Sequence, residues 1–209
     1  MKPLKDKLNE SLLDDENELF DRNDKTLIEL WIKENYKIYG TLKIYEDKHG
    51  FVVDSDADIE VTNKDIKSLT NGMFRWGEIV GDFKCRECKK LRSLEGAPNE
   101  CKWFDCFECT KLRTLEGAPN ECYSFNCSGC TELKSLKGAP NECNWFNCSG
   151  CTKLISLKGA PNECDDFCCS KCAELRSLEG VPVGTTIKCS DCTNLTITDN
   201  ERKKYKIRL

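Results

Sequence analysis

The sequence predicts a repeat solenoid: parallel strands stacked behind an N-terminal α+β cap. Three observations predict it. The string Leu-x-x-Leu-x-Gly-Ala-Pro-Asn-Glu-Cys starts at Leu91, Leu112, Leu133 and Leu154, always 21 residues apart. Phe104-x-Cys106 and its copies alternate apolar with polar residues, which is strand periodicity. Of the 17 cysteines in 209 residues, 16 fall at three fixed positions of this repeat and only Cys168 falls elsewhere. A unit this short cannot close a core alone, whereas a stack of several buries one continuously.

In chain order, residues 1–79 form the expected cap. They hold no cysteine and carry 18 acidic against 12 basic residues, a charge of −6, where the remainder carries +2. Leu4, Leu8, Leu12 and Leu13 fit an amphipathic helix. A second helix is expected from about Lys25, with Leu27, Leu30 and Trp31 on one face and Asn23 or Asp24 as N-cap. Thr41–Tyr45 and Phe51–Val53 flank Asp47-Lys-His-Gly50 and read as a hairpin. Ile59-x-Val61 and Ile66-x-x-Leu69-x-x-Gly72 resemble a degenerate repeat lacking cysteines. Capping is the expected role, because the end of a solenoid leaves a sheet edge and an apolar face open.

Residues 80–205 are expected to supply about six units. One unit reads Cys101-x-x-Phe104-x-Cys106-x-x-Cys109-x-x-Leu112-x-x-Leu115-x-Gly117-Ala-Pro119. Val80 opens the first unit and Thr185 the last, which is one residue shorter. Gly-Ala-Pro is a turn signal, and proline lacks the donor a central strand needs. Parallel stacking at about 4.8 Å turns every apolar position into a ladder, with Phe83, Phe104, Phe125, Phe146 and Phe167 as an aromatic spine. Residues 206–209 are expected to be a basic tail or a solvated last strand, ending a run of five basic residues between Arg202 and Arg208.

This frame resembles the leucine-rich repeat core. The cysteine at the Asn position is similar to that of the cysteine-containing subclass, and the short period with Ala-Pro resembles compact bacterial and phage repeats. It departs from the family in two ways: the step from that cysteine to the next leucine is three residues rather than two, and Cys or Phe replaces most strand leucines. The resemblance covers about 60% of the chain. It implies a leucine-rich-repeat-like parallel β-solenoid whose strand face binds another macromolecule.

Six Cys-x-x-Cys pairs recur with 16- or 17-residue gaps, a spacing that elsewhere signals zinc. Here the period sets that spacing whatever the sulfurs do. A third ladder, Cys101, Cys122, Cys143 and Cys164, gives way at its ends to Val80 and Thr185, neither a metal ligand. Buried thiols are the favoured reading, with Cys109 and its equivalents offering S–H to loop carbonyls. A zinc-binding structural protein is the alternative. An odd cysteine count and an N-terminus without an apolar core of a signal peptide favour a reduced, cytoplasmic protein over disulfides. Cys168, between buried positions, is the expected alkylation target.

The outward side of the strands is where a partner is expected. Three rows emerge there: Trp103, Ser124, Trp145, Asp166; Asp105, Asn126, Asn147, Cys168; and Phe107, Ser128, Ser149, Ser170. Trp103, Asp105, Phe107, Tyr123, Asn126, Trp145 and Asn147 are the expected contacts, because exposed aromatics among Asn and Ser make binding hot spots. The partner is expected to be a protein or peptide. A net charge of −4 argues against nucleic acid, and no apolar run reaches membrane-spanning length. Glu100, Glu121, Glu142 and Glu163 form a solvated carboxylate ladder. With His49 as the one histidine, and no nucleophile–base pair or phosphate loop, a non-enzymatic scaffold without cofactor or metal is expected. End-to-end assembly is a further alternative.

Overall fold

The structure, a computed structural model, describes residues 25–209. The helix expected on Leu4–Leu13 lies outside them. In order come α1 (Lys25–Asn35), β1 (Tyr36–Ile38), β2 (Leu42–Asp47), β3 (Gly50–Ser55), β4 (Ile59–Val61), β5 (Arg75–Ile79) and β6 (Phe83–Lys84). There follow β7 (Glu100–Asp105), β8 (Glu121–Asn126), β9 (Trp145–Asn147), β10 (Asp166–Cys168), β11 (Thr186–Lys188), α2 (Asp199–Lys204) and β12 (Lys206–Arg208). The chain winds as a parallel β-solenoid, its strands ordered β4-β6-β7-β8-β9-β10-β11-β12. Among the described residues, eight parallel strands bound seven turns, one more than the units expected. The extra turn is the cysteine-free segment, since Ile59 pairs with Phe83 as Phe83 pairs with Phe104.

Parallel pairing also crosses the expected boundary at residue 79. The first two turns carry split strands: β3 and β5 pair in parallel as the upper halves, β4 and β6 as the lower. Glu78 pairs with Glu100, which places Ile79 beside Cys101. Ile79, not Val80, therefore fills the third cysteine position: Ile79 is 3% exposed and Val80 62%. Three residues separate Ile79 from Phe83 where two separate Cys101 from Phe104, and the spare residue bulges outward. Acidic side chains hold these splits together. Asp54 accepts the Glu78 N–H at 3.0 Å and Asp58 the Asp82 N–H at 2.9 Å. Asp56 accepts both the Thr41 N–H and its hydroxyl, which keeps its carboxyl below the usual range. Part of the acidity of this region is thus turn chemistry.

The open edge is closed by antiparallel strands, β1 on β4 and β2 on β3 in the expected hairpin. The helix α1 packs differently from expectation. Ile28, Ile32 and Asn35 are buried, whereas Leu27, Leu30 and Trp31 are only partly covered. Spacings of four and three put Ile28, Ile32 and Asn35 on one stripe. Asn35 is tolerated inside because its amide donates to the Trp31 carbonyl and its own carbonyl accepts from Asn63.

Within the array the spine forms as expected. Phe83, Phe104, Phe125, Phe146 and Phe167 stack with centroids 5.0–5.5 Å apart and planes within 15°. Each offset stack contributes about 0.5–1.5 kcal/mol beyond the area it buries. Trp76 closes the N-terminal end edge-on at 5.6 Å, and Ile187 and then Ile207 continue the row at the other. Close stacking also demands glycine: Gly138 has φ 87°, and a Cβ there would lie 2.5 Å from the Glu116 nitrogen.

The cysteines are all free thiols, most of them buried. Cys109, Cys130, Cys151, Cys172 and Cys192 donate S–H to carbonyls of the preceding turn, those of Cys85, Cys106, Cys127, Cys148 and Cys169, at 3.0–3.3 Å. The acceptors are loop carbonyls, as expected, each one residue past the end of a strand of the preceding turn, and each thiol ties two turns together. Burial raises the Cys106, Cys127 and Cys148 thiols far above their ordinary values and Cys122 to about 12, so they stay protonated. Thr185 takes the end of the third ladder and donates to the Cys164 and Pro182 carbonyls.

The last turn has no successor, and α2 compensates. Inside the array the Leu94 and Leu115 N–H groups donate to carbonyls of the next turn, those of Glu116 and Lys137. At Leu178 the acceptor is the Glu201 carboxylate, 2.7 Å away. Glu201 also completes a capping box with Thr198. The basic segment then returns as β12, parallel to β11, rather than as a frayed tail.

Candidate functional site

Two clefts adjoin on the strand face. The first, of about 470 Å³, lies over β7–β10. Register builds it. Trp103 pairs with Ser124, Ser124 with Trp145, and Trp145 with Asp166. Ser124, paired between the two tryptophans, is buried, while Trp103 stays 45% exposed. Alternating large and small side chains along one row leaves a slot where a uniform row would leave none. Tyr123, 59% exposed, forms one rim with Asn144, one period further along.

The two ends of this cleft differ in charge. At one, Arg86 grips Asp105 through Nε at 2.6 Å and a terminal nitrogen at 2.5 Å. At the other, Asp165 and Asp166 are both exposed, and Asp165 accepts from the Asn144 amide at 3.0 Å.

The second cleft, of about 490 Å³, shares Tyr123 and Asn144 with the first. The carboxylate ladder lines it, and the ladder begins one turn earlier than the sequence indicated. Glu78, Glu100, Glu121, Glu142 and Glu163 follow one another in parallel register.

Of the expected contacts, Trp103, Asp105, Tyr123, Asn126 and Trp145 line the first cleft, and Phe107 and Asn147 do not. The second row mainly serves the fold. Asp105, Asn126 and Asn147 accept the N–H of the residue two positions on, Phe107, Ser128 and Ser149, and so close the corner after each strand. Asn126 also donates to Asp105. Asp105 is buried beneath Arg86 rather than displayed to solvent. Phe107 is half-buried at the edge of the sheet, where its carbonyl accepts the Glu87 N–H.

Arg86, Asn144 and Asp165 were not among the expected contacts, although their signal was present. Arg86 precedes Phe107 by one period, and Asn144 and Asp165 follow Tyr123 by one and two. Extending each outward row along the 21-residue period finds all three.

The thiols that are not fully buried lie toward the C-terminal end of the array. Cys168, the expected alkylation target, is half-buried, with its sulfur 3.0 Å from the Ser149 hydroxyl. Cys164 and Cys192 are likewise half-buried. Hydrogen bonding from the Cys169 side chain, outweighing burial, lowers Cys192 to about 7, while Cys169 itself is pushed up. Among the described residues, no group of three or more His, Cys, Asp or Glu side chains is arranged to hold a metal ion. Nor is any helix there long and apolar enough to cross a membrane. No family, curated protein or solved structure matches the chain.

Proposed function

We propose that this protein is a non-enzymatic recognition scaffold, leucine-rich-repeat-like in kind, that binds a protein or peptide on its strand face. One observation carries the reading. In an array whose inward positions recur turn after turn, Trp103, Tyr123 and Trp145 break the repeat and gather around a single slot over Ser124. Exposed aromatic rings offer large contact area at small entropic cost and dominate interface energetics. Reduced thiols throughout agree with a cytoplasmic setting. Carboxylates around the clefts disfavour a phosphate backbone as the partner.

Joint Trp103→Ala and Trp145→Ala substitution tests the reading. The far-UV spectrum should be unchanged and capture of the native partner lost. Partner capture equal to that of the parent protein would remove the site assignment.

A further inference from the structure

We propose that the cleft over Ser124 receives the cationic side chain of a Lys- or Arg-bearing peptide, with Trp103, Tyr123 and Trp145 supplying ring faces and Asp165 and Asp166 the counter-charge. This rests on the recognition reading above and specifies the chemistry of its partner.

Spacing is the first argument. Phe104, Phe125 and Phe146, the inward neighbours of Trp103, Ser124 and Trp145 along their strands, follow one another at steps of 5.3 Å. Trp103 and Trp145, two strands apart, therefore rise from positions about 10 Å apart. A cation midway between them is about 5 Å from either, inside the ~6 Å reach of a cation–π contact. The slot is thus one group wide, suited to a guanidinium or an ammonium.

Charge is the second. The two adjoining clefts are lined by seven carboxylates and two cationic side chains, Arg86 and Lys102. Arg86 is already committed to Asp105, which leaves the excess at the Asp165–Asp166 end and along the glutamate ladder. A side chain entering at the Asp165–Asp166 end meets attraction throughout, whereas one entering at the Arg86 end meets a like charge. The cleft therefore also orients its guest.

The third argument concerns what the chain already satisfies. Lys37 sits 4.5 Å above the Tyr39 ring and Lys43 5.0 Å above that of Tyr45. Among the described residues these are the rings with an internal cation, and the rings of the cleft have none. A polyanion would meet the carboxylates head-on. A neutral sugar would stack on the rings but gain nothing from the charge.

The test titrates the full ¹⁵N-labelled chain with the peptide acetyl-Gly-Arg-Gly-Arg-Gly-Arg-Gly-amide. Its citrulline counterpart, which keeps the shape and loses the charge, and cellohexaose are run beside it. The expected result is saturable movement of the Trp103 and Trp145 indole N–H signals, with those of Trp31 and Trp76 still. Binding should weaken about tenfold or more with citrulline, and comparably in Asp165→Asn/Asp166→Asn. Equal affinity for the citrulline peptide, a response to cellohexaose alone, or still indoles with all three probes would overturn the proposal. None of these outcomes touches the broader reading, which stands or falls on partner capture by the tryptophan double variant.

Discussion

Between Phe104 and Phe146 the inward side of the sheet repeats residue for residue, while on the outward side Trp103, Ser124, Trp145 and Asp166 succeed one another without any shared chemistry. The backbone, register and 21-residue period are common to both sides, so geometry alone does not account for the contrast. Inward side chains must fit copies of themselves about 4.8 Å away, and any departure leaves a void or a clash. Outward ones face solvent and are free to differ. The inner ladders thus hold the fold together, and the outer rows carry whatever distinguishes one turn from the next.

Removing one ring from the spine tests this contrast most severely. Phe125 is fully buried and stacked on both faces at 5.3 Å. Phe125→Ala should cost about 3–5 kcal/mol in urea unfolding, whereas Trp103→Ala, one position outward on the neighbouring strand, should stay within about 0.5 kcal/mol. Comparable losses at the two positions would mean that the outer row is structural as well.

A smaller effect is expected at the end of the array, where a side chain stands in for a missing turn. Glu201→Ala leaves the Leu178 N–H without its acceptor and should cost about 1–3 kcal/mol. Burial pushes the Glu201 carboxyl up, but the Thr198 and Leu178 N–H groups outweigh it and hold it below its usual 4.5. Its contribution is therefore complete above about pH 4.5 and fades as the pH falls through the lower folded-state value. The difference between parent and Glu201→Gln should accordingly narrow in acid. A gap that persists unchanged below that range would rule out a role for the charge.

The smallest expected effect separates the ends of the thiol ladders from their middles. Cys192 is half-buried and lowered to about 7, while buried Cys122 is raised to about 12. Iodoacetamide followed by peptide mapping should label Cys192 first, its rate rising with pH through about 7 as thiolate forms. Cys106, Cys127 and Cys148 should stay unlabelled until unfolding. Labelling led by Cys168 at neutral pH would restore the simpler expectation drawn from its outward position.

Much of this was legible in the chain. The spine, the hairpin, the carboxylate ladder and the outward placement of Trp103, Tyr123 and Trp145 follow from strand alternation and the 21-residue period. What escaped lies where period and register part. Val80 occupies the expected position by counting, but a one-residue bulge hands it to Ile79. Leu27 and Leu30 look like a helix face, but the packing of α1 selects the stripe through Ile28 and Ile32. Asp105 reads as a displayed carboxylate until Arg86, 19 residues earlier, closes over it.

The sequence by itself determined the solenoid, because a repeat whose apolar positions recur at one period can bury them only by stacking copies in register. It also determined that thiols serve as core side chains. The tertiary structure alone decided how many turns there are, where the array is sealed, and which outward residues converge on one cleft. Those outcomes depend on contacts between residues from different turns, such as Glu201 with Leu178 or Ser124 between two tryptophans. Local periodicity marks the position of each such residue along the chain, but the register between turns sets which of them meet.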